Sequence, residues 1–216
     1  MNESTLASLP TAFCWTRFGT EAGEPIERIV ERKEAERQAN GGMFFWGIGN
    51  SIAPAIDELL RSVPAPEVLF SPIKSRPRKA DVSPSAVVRW TGARDLRGEW
   101  FDLPAGAWIT SRWDRVRPRA HYALVCGSLA PLRLSDDGRL SFGSLRNLRS
   151  GAPLGASQVT AVVQRSDEQA RVAGEYTIAL RAALVPPYFI RLQAPVPVVA
   201  DGAAPAMVVG AAQLQF

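Results

Sequence analysis

The sequence predicts an α+β fold, in which two N-terminal helices pack on a mostly antiparallel sheet that is either curled or closed into a β-barrel. Two observations predict it. Helical patterns are confined to the first third of the chain, at about 24–39 and 51–62. Short apolar runs rich in aromatic and β-branched residues precede, separate and follow these helices. The order is strand, helix, strand, helix and then many strands.

The first strand is predicted over 12–18, where Trp15 is expected in the core. The first helix is predicted to begin at Glu24 and Pro25, because proline and an acid both suit a first turn. Three of its apolar residues are predicted to face inward: Ile26, Ile29 and Val30. Oppositely charged residues three or four apart indicate a solvated outer face, at Glu24–Arg28, Arg32–Glu36 and Glu34–Arg37.

A glycine-bounded aromatic run at 41–51, with the sequence GGMFFWGIGNS, is predicted to be a strand between the two helices. Gly41 and Gly42 are expected to close the first helix, and Asn50 or Ser51 to cap the second. A strand that leads into a helix N-terminus can present backbone N–H groups to a ligand. The run is therefore the first candidate for a functional site.

The second helix, at 51–62, has an apolar stripe and ends before Pro64. A basic, proline-broken loop is predicted at 71–79, and an irregular, aromatic-rich segment at 91–119. Further strands are predicted at 68–70, 85–90, 121–126, 158–164, 176–184 and 188–192, with a hairpin at 132–142 and a polar loop at 146–156. We expect one domain over 1–216, with a core at about 12–192 and an apolar edge strand or packing tail at 193–216.

The net charge of +4 is unevenly distributed. Residues 72–119 carry 11 basic and 5 acidic side chains, whereas 1–71 carry 6 basic and 10 acidic ones. All but three of the 25 basic residues are arginines, which suit phosphates and base edges. Compositional bias of the genome could explain the preference for arginine but not its clustering. The cluster predicts nucleic acid as the partner.

The two cysteines, Cys14 and Cys126, lie in strand-like apolar runs, which predicts buried thiols rather than a disulfide. The first ten residues lack the basic and apolar regions of a signal peptide, and no run reaches the ~20 apolar residues of a membrane span. The expectation is therefore a cytoplasmic protein that has no membrane partner.

Trp15 on a first strand, followed by a helix and then by Trp46-Gly47-Ile48-Gly49-Asn50 before a second helix, resembles the opening of the EVE domains. Those domains carry a Trp-x-Gly-Val-Arg-Asn segment at this place; here Ile-Gly-Asn replaces Val-Arg-Asn, and the later Tyr-His-Ser segment has no match. EVE, ASCH and YTH domains belong to the PUA-like superfamily of small nucleic-acid-binding barrels. The resemblance covers about 12–127 and implies a PUA-like fold with a modified base held in an aromatic pocket.

The resemblance assigns Trp46, Gly47 and Asn50 to base recognition. Tryptophans interleaved with arginines extend the predicted base-binding set to Trp90, Trp100 and Trp113. The predicted phosphate contacts are Lys74, Arg76, Arg78, Lys79, Arg94, Arg112, Arg115 and Arg117. DNA is favoured over RNA as the ligand. Simpler roles stay open: Trp46 can be a core residue, and Asn50 only a helix cap.

Two other classes of function are kept as alternatives. The first is a small enzyme that acts on a nucleotide or another anion through His121, which is the only histidine. The sequence has no Cys-x-x-Cys, no phosphate-binding loop and no set of metal ligands, so no metal or cofactor is predicted. The second is a protein-interaction module whose apolar tail at 193–216 pairs with a partner strand.

Overall fold

The computed structural model describes residues 9–18, 26–72, 87–95, 97, 99–101, 109–112, 121–131, 139–155, 158–167, 175–178 and 180–198. Helices α1 and α2 cover Ile26–Ala39 and Ala53–Ser62, and short 3-10 helices cover Asn50–Ile52 and Phe142–Ser144. The strands are β1 (Ala12–Phe18), β2 (Phe44–Ile48), β3 (Glu67–Pro72), β4 (Val87–Asp95), β5 (Trp100–Phe101), β6 (Ile109–Arg112), β7 (His121–Cys126), β8 (Ala130–Pro131), β9 (Arg139–Ser141), β10 (Leu145–Asn147), β11 (Thr160–Arg165), β12 (Glu175–Thr177) and β13 (Leu180–Val198).

The chain is α+β, as the sequence predicts, and it divides into two compact units. The first unit contains Met1–Gly19, Asn50–Lys74 and Cys126–Tyr188; the second contains Thr20–Gly49, Ser75–Val125 and Phe189–Phe216. Neither unit is a continuous stretch of chain. The expectation of one domain over 1–216 therefore stays a prediction beside this division.

In the first unit, β1 lies between β11, which runs antiparallel to it, and β3, which runs parallel. Trp15 on β1 is opposite Ala161 on one neighbour and Leu69 on the other. Helix α2 packs on β1 and β11, and its buried residues are Ala55, Ile56 and Leu59. Apolar side chains from several elements form the core cluster: Leu9, Phe13, Trp15, Leu69, Leu145, Leu154, Ala161, Val163 and Ile178. The predicted core position of Trp15 is confirmed, since this side chain is 0% exposed.

Strand β10 pairs with β11 on one side and with a returning segment at 152–154 on the other. Two backbone hydrogen bonds, of 2.8 and 3.1 Å, join β10 to this segment and flank a bridge between Arg146 and Pro153. The prediction of a polar loop at 146–156 is therefore wrong at its start, where Arg146 and Asn147 belong to β10, while 148–155 form a turn and a returning segment that contains the buried Leu154.

In the second unit, β2 pairs with β7, and helix α1 packs on β2 and β6. Strand β4 is antiparallel to the C-terminal part of β13 on one side and to β5 and β6 on the other. Phe44 and Phe45 on β2 are fully buried. Tyr122 stacks on Phe189 with 5.5 Å between the ring centroids. Among the described residues, no strand pairing closes either unit into a barrel. The closed β-barrel that the sequence allows as an alternative is therefore not observed in this part of the chain.

Two segments that the sequence predicts to be irregular or interrupted contain continuous β-strands in the structure. The irregular segment predicted at 91–119 is wrong where β4 continues to Asp95 and where β5 and β6 follow. The two strands predicted at 176–184 and 188–192 instead form the short β12 and the long β13, which continues through Pro186 and Pro187. Pairing with neighbouring strands outweighs the weak β propensity of glycine, charged residues and proline at these positions.

The segment 193–216 is predicted to be an edge strand or a packing tail. Its first residues, 193–198, form the end of β13 and pair with β4. Residues 199–216 lie outside the described residues. Half of the predicted hairpin at 132–142 also lies outside them, and Arg139–Ser141 pairs with Glu175–Thr177.

The charged face of α1 is partly buried, which corrects the prediction of a solvated face at Glu36. Lys33 and Glu36 are 3% and 0% exposed, and Nζ lies 2.9 Å from Oε2. Glu36 Oε1 accepts a hydrogen bond from the Phe45 backbone N–H at 2.6 Å, and Lys33 Nζ donates to the Phe45 carbonyl. The predicted pair of Glu34 and Arg37 is confirmed on the surface, at 2.7 Å.

This ion pair replaces a strand neighbour for β2. The N–H and C=O of one strand residue point to the same side of the strand. Glu36 supplies the acceptor and Lys33 the donor that an adjacent strand would supply at Phe45. A periodic pattern cannot distinguish this arrangement from surface ion pairs, because both place opposite charges three residues apart.

We expect Glu36→Ala to lower the free energy of unfolding by roughly 3–5 kcal/mol, because it leaves the Lys33 ammonium buried without its carboxylate. Urea unfolding of the whole chain measures this loss. The matched control is Glu31→Ala, which removes the exposed pair with Arg28 and should cost at most about 1 kcal/mol. Similar losses in the two variants would contradict the buried role of Glu36.

Candidate nucleic-acid interface

The end of β2 presents Trp46 and Gly47 in the second unit. Trp46 is half-buried, so it belongs neither to the fully buried core nor to the open surface, and Gly47 is exposed. The preceding turn is as the sequence predicts: Gly41 and Gly42 have φ values of 64° and 98°, which glycine adopts without strain. The Gly42 N–H donates to the Arg37 carbonyl at 2.8 Å and closes α1.

Asn50 lies in the first unit, where it begins the 3-10 helix Asn50–Ile52. The N-cap of α2 is Ile52, and no side chain caps this helix end. The prediction that Asn50 or Ser51 caps α2 is therefore wrong, because the 3-10 turn moves the start of the α-helix to Ala53. The side chain of Asn50 lies outside the described part of the chain, and its contact with a base stays a prediction.

The ladders of β4 bring three predicted site residues together. Arg94 is the register partner of Trp100 on β5, and on the other side it is the partner of Arg191 on β13. Trp90, four residues earlier on β4, has an even spacing from Arg94 and therefore falls on the same face of the strand. The backbone thus gathers Trp90, Arg94 and Trp100, which lie within 11 consecutive residues of the sequence.

A turn closed by Asp95 fixes the alignment of β4 with β5. Asp95 Oδ1 accepts hydrogen bonds from the backbone N–H groups of Arg97 and Glu99 at 2.8 and 3.0 Å. The Asp95 N–H in turn donates to the Glu99 carbonyl at 2.9 Å. This side-chain-to-backbone bonding is the reason why aspartate favours turns, and here it places Arg94 opposite Trp100.

Arg112 is separated from this group by its register. Arg112 is the last residue of β6 and is paired with Val87 of β4. Val87 is an odd number of residues from Trp90 and from Arg94, so Arg112 falls on the opposite face of the ladder from both. The remaining predicted residues lie outside the described residues: Lys74, Arg76, Arg78, Lys79, Trp113, Arg115 and Arg117. Their contacts with a ligand stay predictions.

Arg191 is absent from the residues that the sequence predicts for the site, yet it is exposed and is paired with Arg94 in the sheet. Its neighbours Ile190 and Leu192 are 0% and 4% exposed. The alternation of Ile190, Arg191 and Leu192 in the sequence already indicates an outward-facing position. What the sequence cannot supply is the pairing partner, which lies almost 100 residues earlier.

A second arginine and tryptophan lie together in the first unit, but they are not available for stacking. Arg17 lies over the Trp15 ring at 5.3 Å from its centroid, and burial lowers the pKa of Arg17. Trp15 is fully buried, and its Nε1–H donates to the buried Ser71 hydroxyl at 2.7 Å. This contact therefore belongs to the core and offers no ring face to a base.

The cysteines are free and buried, as the sequence predicts. Burial raises the pKa of the Cys14 thiol to about 12, so the nucleophilic thiolate is scarce at neutral pH. Within the described residues, no group of three or more His, Cys, Asp and Glu side chains is placed to hold a metal ion. His121 begins β7, and its side chain lies outside what the structure describes.

Comparisons of the chain with protein-family models, curated proteins and solved structures find no match. In the part of the chain that the structure describes, neither helix has the length and apolar character needed to cross a membrane. The function is therefore inferred from the arrangement of the chain's own residues.

We expect Asp95→Ala to cost about 1 kcal/mol of unfolding free energy, because two backbone N–H groups lose their acceptor. Amide hydrogen exchange at Arg97 and Glu99 should become faster. Asp95→Asn is the matched control, since its amide oxygen can still accept these bonds and should keep both amides protected. Equal exchange rates in the two variants would contradict the role given to the Asp95 side chain.

We expect stability to fall at alkaline pH through Cys14. Its thiol has an ordinary pKa of 9.0 and a pKa of about 12 in the folded protein. The unfolded chain therefore loses this proton first, and stability declines as the pH rises from 9 toward 12. Between pH 7 and pH 10 the wild type should lose roughly 1.4 kcal/mol more than Cys14→Ala, measured by urea unfolding. Equal losses in both proteins would overturn this assignment.

Proposed function

We propose that the protein is a nucleic-acid-binding module that recognises a base, with modified DNA as its first candidate ligand. The observation that carries the proposal is the pair of ladders that align Arg94 with Trp100 and Arg191. A PUA-like relationship is part of the proposal, and its support is the two helices with a mostly antiparallel sheet. A cytoplasmic location is also part of it, and the two free cysteines support that location.

The chemistry of a base reader requires aromatic faces and cations at one place. Stacking on an aromatic side chain contributes about 1–3 kcal/mol per base, and arginines bind the phosphates on either side. By register, Trp90 and Arg94 of β4 and Trp100 of β5 fall on one face of the ladder in the second unit, so both types of residue occur there. The second unit has 15 basic and 12 acidic side chains, a net charge of +3, and its positive surplus lies in 75–125, where it would attract a polyanion.

Trp46 and Gly47 provide a second feature of the same unit. A half-buried tryptophan can keep one part of its ring in the core and offer another part to a ligand. Gly47, which follows it and is exposed, has no side chain to block the approach of a base. In this proposal Trp46 contributes a wall of the base site. Base-edge recognition by the amide of Asn50, which begins the 3-10 helix of the first unit, is a separate prediction.

We expect labelled DNA carrying one modified cytosine or adenine to bind more tightly than plain DNA or RNA. Fluorescence anisotropy at two salt concentrations measures this. A preference that persists at high salt would support a base site, because phosphate contacts weaken steeply with salt whereas stacking does not. If all probes bind equally and the binding disappears at high salt, the protein binds nucleic acid only through a basic surface and recognises no base. Absence of binding at both salt concentrations would overturn the proposal.

Trp46→Ala and Asn50→Ala test the two predicted base contacts, one in each unit. Both should remove the preference among bases while the unfolding transition stays in place. Trp46→Phe is the matched control, because it keeps an aromatic ring at the half-buried position and should retain part of the preference. Two results together would contradict a role in base recognition. Trp46→Ala would lose its unfolding transition, and Trp46→Phe and Asn50→Ala would keep the base preference of the wild type. Both residues would then be structural only.

A further inference from the structure

We infer that the second unit binds single-stranded nucleic acid across one face of the β4 ladders, and that Arg191 is one of its contacts. This inference rests on the proposed function and narrows its ligand. We call this surface the arginine face and define it by six positions: Trp90, Gly92, Arg94, Trp100, Arg191 and Gln193. Arg191 and Gln193 come from β13, and the others from β4 and β5.

The register assigns these positions to one face. Positions that pair directly in antiparallel strands share a face, and positions two apart along a strand share it too. Arg191 is paired with Arg94, and Gln193 with Gly92. Arg191 is exposed, whereas Ile190 and Leu192 beside it are buried. The face that contains Arg191 is therefore the one turned away from the core.

The charge of the arginine face is of one sign in the described ladders. Arg94 and Arg191 are direct register partners, and like charges in this relation destabilise a sheet. A phosphate between them would remove this cost. Asp95, the acid next to Arg94 on β4, is paired with the buried Ile190 and so has the opposite parity, and Glu99 lies outside β5.

The spacing of the tryptophans suits unpaired bases. Trp90 and Arg94 are four residues apart, or about 13 Å along the strand, and Trp100 is one strand further at about 5 Å. Two stacking positions thus lie about 14 Å apart, with the two arginines beside one of them. Gly92 lies between Trp90 and Arg94 and adds no side chain to the surface.

A sheet face with separated aromatic positions binds bases that are already unstacked. In a duplex the bases stack on each other and expose only their edges in the grooves, which a helix or a two-stranded ribbon enters. On an open sheet face, by contrast, two or three bases of a single strand can each lie on an aromatic ring. The geometry of the arginine face therefore favours a single strand over a duplex.

The test compares oligonucleotides of about 12 nucleotides, single-stranded and as the matching duplex, by anisotropy with the full chain. The single strand should bind at least about tenfold more tightly than the duplex. Trp90→Ala and Trp100→Ala should each weaken single-strand binding roughly 5- to 150-fold, which corresponds to the ~1–3 kcal/mol of one stacked base.

Arg191→Ala should weaken single-strand binding and lower the slope of log K against log salt by about 0.7, the value for one phosphate contact. The matched control is Arg28→Ala, which removes an exposed arginine from α1 of the same unit and should leave the slope unchanged. Because Arg191 is exposed, its variant should fold even where a tryptophan variant does not.

The outcomes separate this inference from the function on which it rests. Equal or tighter binding of the duplex would overturn the single-strand inference and leave nucleic-acid binding standing. Equal slopes for Arg191→Ala and Arg28→Ala would overturn the arginine face as the phosphate contact. No binding of any oligonucleotide would overturn both the inference and the proposed function.

Discussion

The sheet of the second unit depends on a buried ion pair at its first strand. Lys33 donates to the backbone C=O of the fully buried Phe45, and Glu36 accepts from its N–H. A buried backbone group that is left unpaired costs about 1–3 kcal/mol. The pair also neutralises two charges that would be far more costly if buried alone. One helix turn thus fixes α1 against β2 at Phe45.

At Phe45 this constraint takes the place that a strand partner would have. A barrel requires every strand to pair on both sides, and Phe45 gives its outward-pointing groups to side chains rather than to a strand. At Phe45, strand β2 is therefore bonded to α1 through side chains. Trp46 and the exposed Gly47 follow this residue on the same strand.

The parts of the fold that depend on local pattern could be predicted from the sequence. The two helices, β1, β2 and β7 follow from periodicity and from glycine at the turns, and Gly41 and Gly42 have the conformation that only glycine adopts easily. The buried role of Glu36 could not be predicted, because its partner Phe45 is a backbone group and leaves no mark on the charge pattern. The sequence predicts a strand only as far as residue 90, whereas β4 continues to Asp95. The glycine and charged residues of this extension are poor strand formers in isolation.

The candidate site was predictable in composition but not in arrangement. Tryptophans and arginines clustered in the middle of the chain, and the structure pairs two of them, Arg94 and Trp100, across a hairpin. Their common neighbour Arg191 comes from the other end of the chain, and Arg112 falls on the opposite face of the ladder. Both results are consequences of register, which depends on long-range pairing and changes face with every one-residue shift.

The segment that folds back on β10 has a consequence for the behaviour of the protein at high concentration. The hydrogen bonds that flank the bridge between Arg146 and Pro153 leave the free side of Pro153 directed away from β10. A strand edge with open N–H groups can template another chain and so begin aggregation. Proline has no N–H to offer, so at this position the edge cannot donate the bond that an incoming strand would need.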